Sequence, residues 1–315
     1  MKRRTLGTTG FDVAPIALGG NVFGWTVDEP TSFRLLDAFV DAGFNLIDTA
    51  DSYSRWATDH QGGESETIIG RWLARRGRHD DVVIATKVGS DMGLGRKCLR
   101  KDYILQAAEA SLRRLQVEAI DLYQSHWDDE STPFDETLEA YAQLIAQGKV
   151  KAVGASNLTA TRLAQALEVS RRAGLPRYAT LQPLYNLYDR AAFEGPLAEL
   201  CIREGIGVIS YFALAAGFLT GKYRSDADYG KSVRGAGMAK YLNPRGLRIL
   251  DALDHVAKAV GATPAQVALA WLMARPGVTA PIASATSTAQ LAELVKAAQL
   301  VLDAESMRSL DRASE

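Results

Sequence analysis

Cysteine is nearly missing from this chain: Cys98 and Cys201 are the only two in 315 residues. That is too few for a disulfide scaffold or a metal site, and it suits a reducing cytoplasm. An excess of either charge is also lacking. Lys and Arg number 36 against 37 Asp and Glu, a formal net charge of −1, which offers no pull on nucleic acid or a membrane surface. No apolar run approaches the ~20 residues of a spanning helix. Met1–Gly7 carries basic residues with no apolar run behind them, so no secretory leader is expected. No linker, low-complexity tract or compositional break divides the chain. What is present is 47% hydrophobic residues, ample for one large core. The expectation is one cytoplasmic domain over 1–315 that binds no nucleic acid, membrane or metal; the oligomeric state stays open.

The chain alternates short apolar runs with helical patterns. A hairpin is expected at Arg3–Leu6 and Asp12–Ala14. Strand-like runs follow at Pro15–Leu18, Phe44–Asp48, Val82–Lys87, Ile120–His126, Val150–Ser156, Thr180–Pro183, Gly207–Tyr211 and Thr279–Ile282. Helices are expected after each, at Thr31–Ala42, Glu64–Arg76, Asp102–Leu115, Thr132–Gln147, Thr159–Ala173 and Phe193–Glu204. The seventh run leads to two, Arg245–Val260 and Pro264–Ala274, and the eighth to one at Thr288–Ala298. Gly43, Gly77, Gly148, Gly174 and Gly205 stand where a left-handed C-cap ends a helix. Eight units spaced by roughly 30 to 40 residues match the βα unit. Runs such as Val82–Ala85 are apolar throughout, as a parallel sheet covered on both faces requires. The fold class is therefore α/β, a (β/α)8 TIM barrel with an N-terminal β-hairpin cap. A doubly wound open sheet would carry Gly-x-Gly-x-x-Gly after its first strand; Leu18-Gly19-Gly20-Asn21-Val22-Phe23-Gly24 lacks that spacing.

In such a barrel the active site lies at the C-terminal ends of the strands. The polar residues found there are Asp48 with Tyr53 in the loop behind it, Lys87, His126, Ser156 with Asn157, Gln182, Tyr211, and Ser284 through Gln290. Taken singly, each has an ordinary reading as a cap, a solvated strand end or a hydrogen-bonded core histidine. Taken together, all point into one mouth.

At these residues the sequence resembles the aldo-keto reductase family, and the resemblance covers nearly the whole chain. It is carried by Gly43-Phe44-x-x-Ile47-Asp48-Thr49-Ala50-x-x-Tyr53, Gly63-Glu64-Ser65-Glu66, Thr86-Lys87 and Leu122-Tyr123 with Ser125-His126. Gly148-Lys149-Val150-x-x-x-Gly154-x-Ser156-Asn157, Gln182-Pro183-x-Tyr185-Asn186 and Gly217–Tyr223 complete it. The pattern sits with the long-chain bacterial and potassium-channel beta-subunit-like branch. The resemblance implies an NADP(H)-dependent oxidoreductase, NAD(H) being possible, that reduces aldehydes or ketones to alcohols or runs the reverse. Tyr53 would donate the proton, Lys87 held by Asp48 would act on the phenol, and His126 would orient the carbonyl. A neighbouring ammonium favours phenolate, so Lys87 is expected to lower the pKa of Tyr53 below its usual ~10.

By the same resemblance Ser156, Asn157 and Gln182 contact the carboxamide of the cofactor and Tyr211 stacks on its nicotinamide. Gly20, Asn21 and Asp48 border that ring. Phe212, Leu214 and Ala216 stand where the family often has Ser-Pro-Leu, which leaves the pyrophosphate to backbone N–H groups. Lys222 and Arg234 match basic positions that reach phosphates. Ser284, Thr286, Gln290 and Glu293 match the adenosine end. There Leu294 replaces a family Asn, and no basic residue occurs between Ser284 and Val295. A 2′-phosphate would then rest on the hydroxyls and N–H groups of Thr286, Ser287 and Thr288 at the head of what reads as the last helix. Phe23, Trp25, Trp56 and Trp127 are expected to line the substrate site, with few charges beyond Arg55, Asp128 and Asp129, whereas Trp72 and Trp271 read as core. The alternative function is a regulatory or binding subunit that holds nucleotide with little turnover; such subunits can lack the histidine present here as His126. A Schiff-base role for Lys87 is disfavoured, because a paired Asp raises a lysine pKa where that chemistry needs it lowered.

Overall fold

The computed structural model describes residues 2–315. A hairpin of β1 (Arg4–Thr5) and β2 (Asp12–Val13) opens the chain. Eight parallel strands follow: β3 (Ala17–Gly19), β4 (Leu46–Asp48), β5 (Val83–Val88), β6 (Ile120–Ser125), β7 (Val150–Ser156), β8 (Thr180–Gln182), β9 (Gly207–Val208) and β10 (Ile282–Ala283). They lie in the order β10-β3-β4-β5-β6-β7-β8-β9. The ring closes where Thr279 N–H donates to Val208 O at 2.8 Å and Ile282 N–H to Ser210 O at 2.8 Å. This is a (β/α)8 barrel.

The helices are α1 (Glu29–Asp41), α2 (Glu64–Arg76), α3 (Lys101–Leu115), α4 (Phe134–Ala146), α5 (Ala160–Ala173), α6 (Pro196–Glu204), α7 (Pro244–Val260), α8 (Pro264–Met273), α9 (Thr288–Ala297) and α10 (Ala304–Ser314). Their ends follow local chemistry. In α2, Glu64 and Glu66 occupy the positive first turn and Arg75 and Arg76 the negative last turn, and Gly77 at φ 68° supplies the left-handed cap. Two features were not expected. Helix α10 has no counterpart in the alternating pattern, so α9 is not the last helix. Short 3-10 turns occupy 215–220, 226–231 and 235–240 between β9 and α7.

The period of two along each strand sorts residues between two cores. On β5, Val83 and Ala85 join an interior cluster while Ile84 and Val88 join the layer beneath the helices. The hairpin contributes Leu6 and Val13 to the interior cluster, beside Ala17, Leu46 and Leu122, and so plugs one end of the barrel with apolar side chains. Continuing the alternation sends Lys87 inward. The same parity carries Asp48 past Leu46 and Gln182 past Thr180. The polar residues thus collect at the end opposite the plug. Trp72 and Trp271 are fully buried core residues. No single helix among the described residues is long and apolar enough to cross a membrane.

Candidate active site

Lys87 is completely buried at the end of β5. Its ammonium donates all three hydrogens: to Asp48 Oδ2 at 2.7 Å, to the Thr49 carbonyl at 2.7 Å and to the Tyr53 hydroxyl at 2.8 Å. Tyr53 Oη in turn donates to Asp48 Oδ2 at 3.0 Å, and Gln182 Nε2 donates to Asp48 Oδ1 at 2.8 Å. Asp48 therefore ties strands β4, β5 and β8 and the loop after β4 into one network. Breaking such a buried ion pair by removing one partner typically costs about 3–5 kcal/mol. Burial lowers the Lys87 pKa, and the Asp48 carboxylate partly offsets this.

For Tyr53 the direction differs from the sequence expectation. Burial first, and the Asp48 carboxylate second, push its phenol well above the ordinary range. The physical reasons are that the phenol is out of water, which disfavours the phenolate, and that Asp48, which holds the lysine in place, also accepts the phenol hydrogen and opposes a second negative charge beside it. Tyr53 is thus a phenol kept protonated rather than one poised as phenolate.

His126 follows β6, its N–H donating to Val88 O at 2.8 Å. Its ring lies 6.1 Å from that of Tyr53, centroid to centroid. Burial, then Lys87 and Lys97, hold the imidazole pKa well below its usual value, so the ring is neutral. Asn157 Nδ2 donates to His126 O at 2.9 Å and to Ser156 Oγ at 3.0 Å, and Tyr211 Oη donates to Asn157 Oδ1 at 2.8 Å. Ser156 Oγ donates to Gln182 O at 2.7 Å. Asp48, Tyr53, Lys87, Gln182, Ser156, Asn157, Tyr211 and His126 are thus brought to one mouth. One of the two amide N–H groups of Gln182, expected to face a carboxamide, goes to Asp48, while its Oε1 makes no hydrogen bond to the described residues.

Ser284 Oγ donates to Asn21 Oδ1 at 2.6 Å, joining the first and last units beside Gly20. A Cβ on Gly19 would meet that Oγ at 2.6 Å, and one on Gly20 would meet Ser65 Oγ at 2.8 Å, so the backbone lies close here. Phe212, Ala215 and Ala216 all hold positive φ, at 52°, 47° and 55°. Backbone strain of this kind in non-glycine residues clusters at active sites and ligand clamps. Leu214 lies within this loop. Lys222 stands next to it, its Nζ 3.8 Å from where a Gly217 Cβ would be. Neither Lys222 nor Arg234 forms an ion pair among the described residues; the Arg234 guanidinium lies 5.4 Å from the Trp25 ring centroid. Thr286 N–H and Oγ1 donate to Gln290 Oε1 at 2.8 and 3.1 Å, and Ser287 caps α9. Glu293 accepts from Gln266 Nε2 at 2.8 Å and from Lys296 at 3.2 Å, while Leu294 is buried.

Among the expected substrate aromatics, Trp25 and Trp56 meet edge to face at 5.5 Å, Trp56 lies 5.9 Å from Tyr53, and Trp127 stacks on His126 at 5.8 Å. Phe23 departs from expectation: it is 0% exposed and belongs to the outer core, because the turn at Gly20–Val22 folds it inward. Asp128 is held by Arg162 at 2.6 Å, and Asp129 secures Leu99 N–H and Thr132, so neither is a free charge for substrate.

Two residues at the site escaped the sequence reading. Asp51 is buried with Oδ1 unpartnered, and burial, then Glu66, raise its pKa to about 8. Ser90 Oγ lies 2.9 Å from His126 Nδ1. Ser90 sits beyond a turn whose Gly89 adopts φ 103°; the Gly-Ser pair after Lys87 was the only available signal.

A family model described as "Aldo/keto reductase family" matches residues 15–315. The chain is 36% identical over 319 residues to "Uncharacterized oxidoreductase YrpG" of Bacillus subtilis (strain 168), covering 99% of this chain and 95% of the relative. It is 32% identical to "Probable voltage-gated potassium channel subunit beta" of Arabidopsis thaliana, covering 96% and 92%. To "Norsolorinic acid reductase" of Aspergillus flavus it is 29% identical, covering 97% and 79%.

Proposed function

The chain belongs to the aldo/keto reductase family and is an oxidoreductase; from that premise and the geometry at the barrel mouth, we propose that it reduces aldehydes or ketones with NADP(H). The observation that carries the proposal is the buried triangle of Asp48, Lys87 and Tyr53. A carbonyl that gains hydride at carbon needs a proton at oxygen. Tyr53 is the acid: its phenol hydrogen turns from Asp48 to the substrate oxygen. Lys87, 2.8 Å away, donates to the phenolate oxygen left behind and limits the cost of that charge. Asp48 keeps Lys87 in place and Gln182 keeps Asp48 oriented. His126 hydrogen-bonds the carbonyl oxygen as charge develops there. In the reverse direction Tyr53 is the base.

The donor set fits a dinucleotide: Lys222, without a carboxylate partner, stands beside a strained backbone loop, and Arg234, also without one, lies over Trp25. The nicotinamide supplies hydride when bound. In this reading Ser156, Asn157, Gln182 and Tyr211 hold it, Gly20, Asn21 and Ser284 border it, and Phe212, Leu214, Ala216, Lys222 and Arg234 take the phosphates. Thr286, Gln290 and Glu293 contact the adenosine end. With the Thr286 N–H and hydroxyl taken by Gln290, the support for NADP over NAD is the O–H groups of Ser287 and Thr288 and the first N–H groups of α9, which suit a 2′-phosphate. Trp25, Trp56 and Trp127 give the carbonyl substrate an apolar, aromatic seat.

A subunit that only holds nucleotide is the second reading, motivated by the similarity to the Arabidopsis channel subunit beta. His126 facing Tyr53 weighs against it. Parallel fluorescence titrations with NADPH and NADH, followed by turnover on a panel of aldehydes, ketones and sugars, test the proposal. Tighter NADPH binding and oxidation of NADPH by an aldehyde or ketone are expected. Tighter NADH binding would refute the cofactor assignment, and binding without turnover on any carbonyl would refute the activity.

A further inference from the structure

A neutral imidazole carries one hydrogen, and the partner of one ring nitrogen decides which nitrogen bears it. For His126 that partner is a serine hydroxyl. Its Nδ1 lies 2.9 Å from Ser90 Oγ and, at a longer 3.4 Å, from Ser52 Oγ. Both serines are buried, Ser90 at 8% exposure.

Ser90 Oγ has a second neighbour, Trp127 Nε1, at 3.1 Å. An indole N–H can only donate, so Ser90 Oγ accepts that bond. Its own hydrogen has no acceptor other than His126 Nδ1 among the hydrogen bonds that the described residues make. If Nδ1 bore the hydrogen instead, neither the Ser90 nor the Ser52 O–H would have an acceptor among these bonds, whereas a bare Nδ1 accepts from Ser90 at the shorter distance; folded proteins avoid the arrangement that leaves more buried donors unpaired. The ordered chain is therefore Trp127 N–H to Ser90 Oγ and Ser90 O–H to His126 Nδ1. The hydrogen of the imidazole then sits on Nε2, which makes no hydrogen bond to the described residues.

We propose that Ser90, itself oriented by Trp127, is a positioning residue that locks His126 in the tautomer whose Nε2–H is free to donate. Two features keep the arrangement rigid. Trp127 stacks on the imidazole with planes 14° apart. Gly89, at φ 103°, turns the chain so that Ser90 faces the ring, and a Cβ there would meet Leu99 at 2.6 Å. Lys97, 4.4 Å from the Trp127 ring centroid, and buried Lys87 place two cations near the imidazole, which discourages a second proton.

What the Nε2–H does rests on the carbonyl-reductase reading, but the tautomer does not. The test therefore reads both. In protein labelled with 15N-histidine, two-bond proton–nitrogen correlations report which ring nitrogen carries hydrogen. The His126 signals are assigned by their loss in His126→Asn. The wild type should show Nδ1 bare and Nε2 protonated. In Ser90→Ala a population with Nδ1 protonated should appear, and kcat for aldehyde reduction with NADPH should fall on the order of tenfold, the rate equivalent of losing one hydrogen bond. The Kd for NADPH should not move. Ser90→Thr, which keeps the hydroxyl, should restore the wild-type spectrum and rate. A wild type with hydrogen on Nδ1, or an unchanged spectrum in Ser90→Ala, would overturn the proposal. A locked tautomer in a protein that reduces no carbonyl would uphold Ser90 and sink the reductase reading instead.

Discussion

The carboxylates of Asp48 and Asp51 sit three residues apart and differ in their partners. Asp48 accepts from Lys87, Tyr53 and Gln182; Asp51 is buried with Oδ1 unpartnered and beside Glu66, which raises its pKa to about 8. This has a consequence for stability. Below about pH 4 Asp51 is protonated in both folded and unfolded chains. Between about pH 4 and 8 the unfolded chain loses that proton while the folded one keeps it. The folded state then binds more protons, so stability falls as pH rises, by about 1.4 kcal/mol per unit. Asp51→Asn removes this contribution. Urea unfolding of both proteins across pH 4 to 9 should show the variant gaining on the wild type by a few kcal/mol up to pH 8, then levelling. Parallel curves would mean that Asp51 ionises in the folded protein. At this scale the sequence made Asp48, Lys87, His126 and Tyr53 readable, because strand periodicity and the family motifs both mark them. It left Asp51, Ser90 and the buried turn of Phe23 unread, because their roles depend on neighbours distant in sequence. The direction of the Tyr53 pKa was misread for the same reason: the effect of burial cannot be seen from residue types.

Among the elements, α10 shows what alternation cannot predict. It follows no barrel strand, and it buries only Leu310, Ala313 and Ser314 among mostly polar neighbours. Its attachment joins an apolar contact through Leu310 to a polar one: Asp311 Oδ1 accepts from Trp271 Nε1 at 2.9 Å and from Arg275 Nη1 at 3.1 Å. Trp271 is fully buried. Asp311→Ala should therefore cost about 2–3 kcal/mol by stranding the indole N–H, whereas Asp311→Asn, which keeps an acceptor, should cost less. Thermal unfolding of the pair decides, and equal losses would contradict the account. Helix ends were better marked. Gly77, Gly174 and Gly205 all cap helices in the left-handed region as read. After α3 the same job falls to Gln116 at φ 54°, which no composition rule signals.

The whole molecule separates stability from chemistry along the barrel axis. The hairpin's Leu6 and Val13 and the inward apolar residues fill one end, while the other collects the buried ion pair, the neutral imidazole and the strained loop after β9. The barrel was legible from eight repeating units because that repetition is a property of the chain itself. The long connection from β9 to α7 was not, since its 3-10 turns carry no periodic signal. The central claim is that this polar end delivers a proton from Tyr53. The most direct measurement compares wild type and Tyr53→Phe for NADPH-dependent reduction of an aldehyde that the wild type accepts, together with NADPH binding by fluorescence. The account predicts that turnover falls by at least about a thousandfold, the upper part of the range for general acid catalysis, while the Kd for NADPH stays within about twofold. Retained turnover in Tyr53→Phe would contradict it.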